Sequence, residues 1–455
     1  MRETLILNSF HMAAASHLYD GGWRNPADEQ SKFYELDTWT KLAATLERGC
    51  FDSIFFADVM GSDAAFGDSW DIYPERGIQF PVHDPVTLAA ALIPVTEHLG
   101  LTFTSSIIQE PPFTFAKRVS TLDHLSGGRI GWNIVTGHTA NGFQNLGYDN
   151  LLPHDERYAM AEEYVEVLYK LWEGSWDEGA LVSDREKGIF ADPRKIHTID
   201  HRGKHFAVRG PSITIPSPQR TPVLFQAGSS PTGRGFAGQH AEGAFVICLN
   251  PEGLRQAAAQ MRKVLAAAGR QADDLTLIQG MSFVVGSTEA EAKRKAEDQD
   301  QYLDLQAVLA RVSRDVGIDL SGAELDQPLD TVKIERVQGM VAFLNEALPG
   351  RRILVKDLPL LYSTRIIGTP EQIADELSVW REAGMGGINV ESQVVPGTDA
   401  EFVDYVVPEL QKRGLAQREY AAGTLREKLF PGRGPLLNGR HPAADFRGAF
   451  TPANS

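Results

Sequence analysis

Cysteine is scarce in this chain: only Cys50 and Cys248 occur among 455 residues. Two distant cysteines are too few for a disulfide framework or a cysteine-based zinc site, which favours a reducing compartment. Long apolar runs are missing as well, since even residues 101–108 are interrupted by threonine and serine, whereas a membrane-spanning helix needs roughly 18 apolar residues. The N-terminal segment is broken by Asn8 and His11 and does not resemble a signal peptide. We therefore expect a cytoplasmic protein with no membrane partner.

Basic residues are also fewer than acidic residues. Lysine and arginine number 44 against 60 aspartates and glutamates, which gives a formal net charge of −16. An acidic surface repels phosphate backbones, so no nucleic-acid partner is expected. The sequence also has no His-x-His or His-Glu-x-x-His zinc motif, no G-x-S-x-G nucleophile elbow and no P-loop. These absences predict no metal site, no serine hydrolase and no P-loop nucleotide site.

The sequence does contain an alternation of short β-rich runs with amphipathic helical segments. The predicted strands are Leu5–Phe10, Ser53–Ala57, Leu101–Ile107, Arg129–Val135, Pro222–Ala227, Ala244–Leu249, Leu275–Val285 and Gly387–Val390. Each is followed by a segment with helical spacing, such as Asp84–Leu99, which opens on a capping aspartate and a proline. This repetition favours an α/β fold of the (β/α)8 TIM-barrel type over the alternative, a Rossmann-like sheet with a second domain.

Two stretches interrupt the alternation, and we interpret them as insertions in one barrel domain spanning residues 1–455. Residues 175–221 are rich in glycine, proline, histidine and charge, and residues 301–363 contain a helical pattern at Val337–Leu348 within weakly periodic sequence. Residues 414–455 combine glycine, proline and arginine with little periodicity. We interpret them as an extended tail that wraps a neighbouring chain.

Active sites of such barrels lie at the carboxyl ends of the strands, where this chain is unusually polar. The polar residues at the first five strand ends are His11, Ser16, His17, Asp58, Thr104, Ser105, Ser106, Gln109, Glu110, Asn133, Thr136, His138, Ser229 and Ser230. Each one alone also suits a polar loop or a hydrogen-bonded buried group. Their agreement across the strand ends predicts an active site there.

The segment 227–235, Ala-Gly-Ser-Ser-Pro-Thr-Gly-Arg-Gly, leads from a strand into a helix. Free backbone N–H groups and two hydroxyls at a helix N-terminus predict a phosphate site, the alternative being a plain turn and cap. His154 and Tyr158, four residues apart at a helix start, suit either the same phosphate or a surface pair. Residues 233–238 fit G-x-G-x-x-G formally, but they begin within the predicted helix, so nicotinamide binding is the weaker alternative.

Several motifs together resemble one family. They are Phe51-Asp-Ser-Ile-Phe-Phe-Ala-Asp58, the segment 120–136 (Ser-Thr-Leu-Asp-His-Leu-Ser-Gly-Gly-Arg-Ile-Gly-Trp-Asn-Ile-Val-Thr), His154-Asp-Glu-Arg-Tyr158, Leu171-Trp-Glu-Gly-Ser-Trp176, Pro216-Ser-Pro-Gln-Arg-Thr-Pro222, Gln226-Ala-Gly-Ser-Ser230 and Val407-Pro-Glu-Leu-Gln-Lys-Arg-Gly-Leu415. They resemble the bacterial-luciferase-like flavin monooxygenases, in the branch that contains nitrilotriacetate, dibenzothiophene-sulfone and long-chain alkane monooxygenases. The similarity runs from about residue 4 to about residue 430.

The resemblance implies a luciferase-like barrel that uses reduced FMN (FMNH2), delivered by a separate NAD(P)H:FMN reductase. In this family reduced FMN reacts with O2, the co-substrate, to give a C4a-peroxide that transfers one oxygen atom to a small organic substrate, here with sulfur- and nitrogen-containing molecules as candidates. A homodimer or homotetramer is implied as well. Two rival interpretations stay open: an NAD(P)-dependent dehydrogenase that uses the Gly233 motif, and a flavin-binding barrel without catalysis.

Carried over residue by residue, the family pattern implies site residues. The side chains expected to address the isoalloxazine and ribityl chain are Asp58, Thr104 and Asn133, and those expected to hold the phosphate are His154, Tyr158, Ser229 and Ser230. The mouth residues of the alkane-oxidising relative, our catalytic candidates, are matched at His17, Gln79 and His138. That relative's cysteine, tyrosine and histidine are replaced by Ala14, Asp63 and Arg311. These departures argue against copying its substrate.

Substrate selection is expected in the insertion 301–363, folded over the barrel mouth as a lid. Two substrate classes stay open at this stage. An apolar or aromatic substrate would suit a wall of Phe56, Trp70, Tyr73 and Phe245, whereas an acid would suit Arg311, Arg314 or Lys333.

Overall fold

Parallel strands form a closed barrel in the computed structural model, which describes residues 2–331, 341, 343–345, 348 and 350–452. The strands are β1 (Ile6–Met12), β2 (Ser53–Ala57), β3 (Gly100–Ser106), β4 (Ile130–Val135), β5 (Val223–Gln226), β6 (Gly243–Val246), β7 (Thr276–Val285) and β8 (Gly387–Glu391). Each strand pairs with the next along the chain, and β8 pairs with β1 to close the ring. The predicted (β/α)8 barrel is confirmed, and each predicted strand coincides with one of these. The open Rossmann-like sheet is excluded.

Helices surround the strands, most of them on the outside of the barrel and a few at its ends. The longer ones are α1 (Leu36–Arg48), α2 (Pro85–Leu92), α3 (Pro112–Ser126), α4 (His154–Tyr169), α5 (Pro231–His240), α6 (Pro251–Ala267), α7 (Glu289–Asp300), α8 (Leu305–Val316), α9 (Pro370–Glu382) and α10 (Val407–Lys412), and shorter ones span Ile72–Arg76, Ala140–Gln144, Gly397–Glu401 and Leu425–Leu429. Their starts follow the predicted chemistry: Asp84 Oδ1 accepts from the Thr87 backbone N–H at 2.6 Å, just before α2. No helix of the described residues combines the length and the apolarity needed to cross a bilayer.

The core has two layers. The larger one lies between the helices and the strands, where α1 contributes Trp39, Leu42 and Leu46. A smaller one fills the barrel interior near its amino-terminal end; it contains Ile6, Phe55, Val223, Phe225 and Ile278. The carboxyl ends of the strands carry buried polar side chains such as Asn133 and Glu391.

Residues 175–221, which we interpreted as an insertion, contain little of the barrel's secondary structure. They form two small antiparallel hairpins, one from Leu181–Asp184 and Ile189–Ala191 and the other from His201–Arg202 and Ala207–Val208. His201 and His205, which have helical spacing, therefore stand in a hairpin and not in a metal-binding helix. No group of metal-ligating side chains occurs in the part of the chain that the structure describes.

The second stretch, 301–363, begins with an unpredicted helix, α8. This helix packs against residues 355–361 and against the short helix Ile72–Arg76. A further unpredicted strand, Thr364–Gly368, pairs with Met281–Val285 of β7, because β7 extends beyond its pairing with β6, which ends at Gln279. The helical pattern at 337–348 falls mostly outside the described residues.

The C-terminal tail packs on its own barrel. Leu425 and Leu429 join the core layer at the amino-terminal end of the strands. Between them, Arg426 is buried and donates to Glu242 at 2.8 Å, just ahead of β6. The described part of the tail therefore closes the bottom of its own barrel, and a contact of the tail with a neighbouring chain stays a prediction.

Candidate active site

The residues predicted to hold a phosphate meet between the starts of α4 and α5. Ser230 caps α5, since its Oγ accepts from the Gly233 N–H at 3.0 Å, and the same oxygen lies 3.1 Å from His154 Nε2. The Tyr158 ring packs against the His154 ring, with 5.1 Å between centroids. Ser229 adjoins them and is exposed. Two hydroxyls, an imidazole and a phenol thus surround one strand-to-helix turn, and we call this group the cradle.

The backbone of the cradle is packed without room for side chains. A Cβ on Gly228 or on Gly233 would stand 2.6 Å from Tyr158 Oη and 2.9 Å from the Cα of the other glycine. The phenol therefore faces bare backbone at the start of α5, where N–H groups and the helix dipole favour an anion. Burial raises the pKa of Tyr158, so the phenol stays a neutral donor. The arrangement fits a phosphate group.

Two of the predicted ring-contacting residues pair across neighbouring strands. Asn133 Nδ2 donates to Thr104 Oγ1 at 2.9 Å, in the register that sets these residues side by side. Asn133 Oδ1 is buried and has no hydrogen-bond partner within the described residues. A buried acceptor without a donor is costly, so this oxygen is suited to a ligand N–H or O–H.

Asp58, the third, lies at the end of β2 beside a cavity of about 610 Å³. Burial raises its pKa to about 7, although Gln109 Nε2 donates to its Oδ2 at 2.9 Å and opposes that shift. Asp58 and Thr104 also line a small recess of about 30 Å³ together with His138. A carboxyl and an unpaired amide oxygen at one barrel mouth fit a ring that carries both donors and acceptors, as an isoalloxazine does.

The predicted catalytic residues surround a buried ion-pair network. Gln79 Nε2 donates to the His17 carbonyl at 2.9 Å, and Gln79 Oε1 accepts from Arg314 Nη2 at 2.7 Å. Arg314 pairs with Asp315 at 2.8 Å, and His138 Nε2 lies 3.8 Å from the same carboxylate. The three candidates are thus connected through α8, the helix that the sequence did not predict.

Burial and neighbouring charges together set the protonation of this network. It lowers the pKa of His17 to about 3, with the nearby His11 and Arg311 acting in the same direction. Burial alone would raise the pKa of Asp315, but Arg314 and His138 hold it well below its usual range. His17 is therefore a neutral imidazole at physiological pH, packed edge-on against Phe10 at 4.5 Å between ring centroids.

The arginines do not support the acid-binding hypothesis. Arg311 is 1% exposed, lies 2.9 Å from Asp20 and stacks 3.7 Å from the Tyr362 ring. Arg314 is held by Asp315, as described above. Lys333 lies outside the described residues.

Only part of the expected aromatic wall faces the mouth. Phe56 packs outward against Trp39 in the helix–strand core, at 5.4 Å between centroids. Tyr73 is buried beneath α8 and donates to the Asp63 carbonyl at 3.0 Å. Trp70 does line the 610 Å³ cavity, and Phe245 packs on Phe10 inside the barrel mouth at 5.3 Å. Phe56 and Tyr73 are therefore wrongly placed in that wall.

Glu391, at the end of β8, was missed by the sequence analysis. It is a buried carboxyl at a strand end, 2% exposed. Applying the strand-end argument to the eighth strand, as it was applied to the first five, identifies this position.

A family model described as luciferase-like monooxygenase matches residues 20–386. The chain belongs to this family. Dimethyl-sulfide monooxygenase from Hyphomicrobium sulfonivorans is 38% identical over 466 residues, covering 100% of this chain and 96% of that protein. Nitrilotriacetate monooxygenase component A from Aminobacter aminovorans is 33% identical over 431 residues, covering 91% and 94%. A crystal structure of long-chain alkane monooxygenase matches with a TM-score of 0.90 and 40% identity, covering 98% of this chain and 100% of that one.

Membership in the luciferase-like monooxygenases makes this chain a flavin-dependent monooxygenase, in the branch that its motifs indicated. Its G-x-G-x-x-G match has another explanation. Residues 233–238 lie inside α5, and Gly233 is required by its approach to Gly228 and Tyr158. A dinucleotide fingerprint instead places its first glycine in the turn after the strand.

Proposed function

We propose that this chain is the oxygenase component of a two-component system, which takes FMNH2 from a separate NAD(P)H:FMN reductase. The cradle is the observation that carries the proposal. It combines Ser229, Ser230, His154 and Tyr158 with bare helix-start backbone, in a chain whose family uses reduced flavin. A homodimer or homotetramer is proposed by analogy with the branch.

In this proposal the chain's residues bind and orient the cofactor. FMNH2, when bound, supplies the electrons that activate O2 for transfer of one oxygen atom to a small organic substrate. The cradle holds its phosphate, while Asn133 Oδ1, Thr104 and Asp58 orient its ring at the barrel mouth. His17, neutral and buried, is suited to a hydrogen bond at the mouth, and α8 packs against the short helix Ile72–Arg76.

The activity is tested with a flavin reductase, NADH and 18O2, with dimethyl sulfide and a tertiary amine as trial substrates. The chain alone is expected to leave NADH unoxidised, and the complete system is expected to place one 18O atom in the product. Oxidation of NADH by the chain with substrate, without a reductase, would instead identify a dehydrogenase. Tight FMNH2 binding with no 18O product across a broad panel of sulfides, amines and alkanes would identify a binding barrel without oxygenase activity.

The cradle is tested by replacing Ser229 and Ser230 together with alanine. Each hydroxyl bond to a charged phosphate is worth about 1.5–3 kcal/mol, so anaerobic titration is expected to show FMNH2 affinity reduced at least about tenfold. Tyr158→Phe is expected to show a smaller loss. Reduced riboflavin, which lacks the phosphate, is the control and should bind the variants as it binds the wild type. Unchanged FMNH2 affinity would place the phosphate elsewhere, and an equal loss for riboflavin would mean that the lost Ser230 cap had disturbed the barrel.

A further inference from the structure

A second cavity, of about 330 Å³, opens over the carboxyl ends of β1, β7 and β8. Its wall includes Leu18 after β1, Ser282 in β7, Glu391 at the end of β8 and Val308 of α8. The volume is at the lower end of the range of small-molecule sites. None of the residues predicted for FMN or for catalysis lines it.

The charged side chains at the rim of this cavity are already paired. The pairs are Arg365 with Asp300 at 2.6 Å, Lys356 with Asp326 at 2.6 Å and Asp357 with Arg351 at 2.5 Å. Their charges balance within each pair, so the rim itself selects neither a cation nor an anion.

The deep wall of the cavity differs from the rim, because it contains acceptors that are not paired. Neither carboxyl oxygen of Glu391 has a hydrogen-bond partner within the described residues, and neither has Gln393 Oε1. Two neighbouring donors are engaged elsewhere: the Ser363 hydroxyl, which is near enough to Glu391 to lower its pKa, gives its proton to Ser282 Oγ at 2.9 Å, and Gln393 Nε2 donates to the same oxygen at 3.2 Å. Glu391 is 2% and Gln393 9% exposed. Buried acceptors of this kind are retained where water or a ligand satisfies them.

We propose that this cavity binds the ammonium group of a small amine, with Glu391 as its counter-ion and specificity-determining residue. An ammonium carries three N–H donors, which match the unpaired oxygens of Glu391 and Gln393. A hydrocarbon or a simple sulfide offers no donor to these oxygens, and an ionised acid group offers only further acceptors. The net charge of −16 attracts cations to the surface as a whole. The further step, that the bound amine is the substrate to be oxygenated, rests on the proposed function. The binding of the amine to this cavity does not rest on it.

Binding of an ammonium ion to this cavity is expected to release a proton. Burial raises the pKa of Glu391 to about 8, with Arg311 of α8 and the Ser363 hydroxyl acting in the opposite direction. The other ionisable groups at the cavity are Tyr19 and the rim pairs described above. Glu391 is therefore protonated near neutral pH, and an ammonium that pairs with its carboxylate must displace that proton. Affinity for an ammonium ion should consequently rise as the pH increases toward the pKa of Glu391.

The test uses benzylamine, which is an ammonium ion near neutral pH, and benzyl alcohol, its neutral counterpart of similar shape. Calorimetric titration of the full chain, in two buffers of different ionisation enthalpy, measures both affinity and proton release. We expect benzylamine to bind at least about tenfold more tightly than benzyl alcohol, since bonds to charged groups exceed neutral ones. Close to one proton should be released with benzylamine and none with the alcohol.

Glu391→Gln keeps the size of the side chain but cannot ionise. It is expected to lower benzylamine affinity at least about tenfold, to leave benzyl alcohol unchanged and to abolish proton release. Asp300→Asn, at the rim of the same cavity, is the matched control; because its carboxylate is half-exposed and already paired, less than about a threefold change is expected. Thermal melting confirms that both variants fold.

Equal affinities for the two probes, no binding of either, or a Glu391→Gln variant that binds benzylamine as the wild type does would each overturn the inference. Because proton release is measured on the wild type, it tests the inference even if the variant fails to fold. FMNH2 titration of the same samples separates the two proposals. Amine binding without FMNH2 binding refutes the oxygenase function alone, and the reverse result refutes the amine site alone.

Discussion

Arg426→Met is expected to lower the free energy of unfolding by about 3–5 kcal/mol, the usual cost of leaving a buried charge without its partner. Arg426 is 1% exposed, and Nε and Nη2 donate to the two oxygens of Glu242 at 2.8 and 2.9 Å. Its Nη2 also donates to the carbonyls of Thr221 and Pro222 at 3.0 and 2.9 Å. These residues precede β5, so one side chain of the tail fixes the strand that leads into the cradle.

Urea denaturation measures this loss as a lower midpoint with an unchanged slope. Arg48→Met is the matched control, since Arg48 pairs with Asp404 at 2.5 Å but is more than half exposed, and it should cost less than about 1 kcal/mol. Replacing Glu242 by methionine as well should recover much of the stability, because no charge is then left buried. Similar losses for Arg426→Met and Arg48→Met would contradict the conclusion that the buried Arg426–Glu242 ion pair holds the tail to the barrel.

The barrel was predictable because its signals are local. Each predicted strand is a short β-rich run followed by a segment with helical spacing, and Ser53–Ala57 was predicted to the residue. The helix α8 also carries local signals that the sequence analysis did not use: Asp304 caps it, and Gly317 ends it with a positive φ of 69°. The strand Thr364–Gly368 was harder to predict, since it pairs only with the half of β7 that extends beyond the pairing with β6.

One part of the candidate site was likewise predictable from the sequence, and another part was not. Ser230 and His154 meet as predicted, because both stand where the barrel brings its loops together. The connection of Gln79 to His138 was not predictable, because it depends on Arg314 and Asp315, which are distant in sequence and reach the mouth only through the packing of α8. Pairwise distances of this kind are set by tertiary structure and leave no pattern in a single sequence.

Gly233→Ala is expected to weaken FMNH2 binding by roughly fivefold to a hundredfold. The added Cβ would meet Tyr158 Oη at 2.6 Å and the backbone of Gly228 at 2.9 Å. Such overpacking costs about 1–3 kcal/mol. Its relief must move either the phenol or the turn that would hold the phosphate. Anaerobic titration with FMNH2 and with reduced riboflavin measures the effect, which should be much larger for FMNH2.

Gly235→Ala separates this explanation from the dinucleotide interpretation. Gly235 is the second glycine of the G-x-G-x-x-G match, and a Cβ there meets nothing within 4 Å. In a helix exterior the change from glycine to alanine should stabilise the fold by up to about 1 kcal/mol and leave FMNH2 affinity as it is. In a nicotinamide fingerprint the second glycine is the one that lets the backbone approach the pyrophosphate, so its replacement would be the damaging one. Loss of binding in Gly235→Ala with normal binding in Gly233→Ala would therefore reverse the assignment of the cradle.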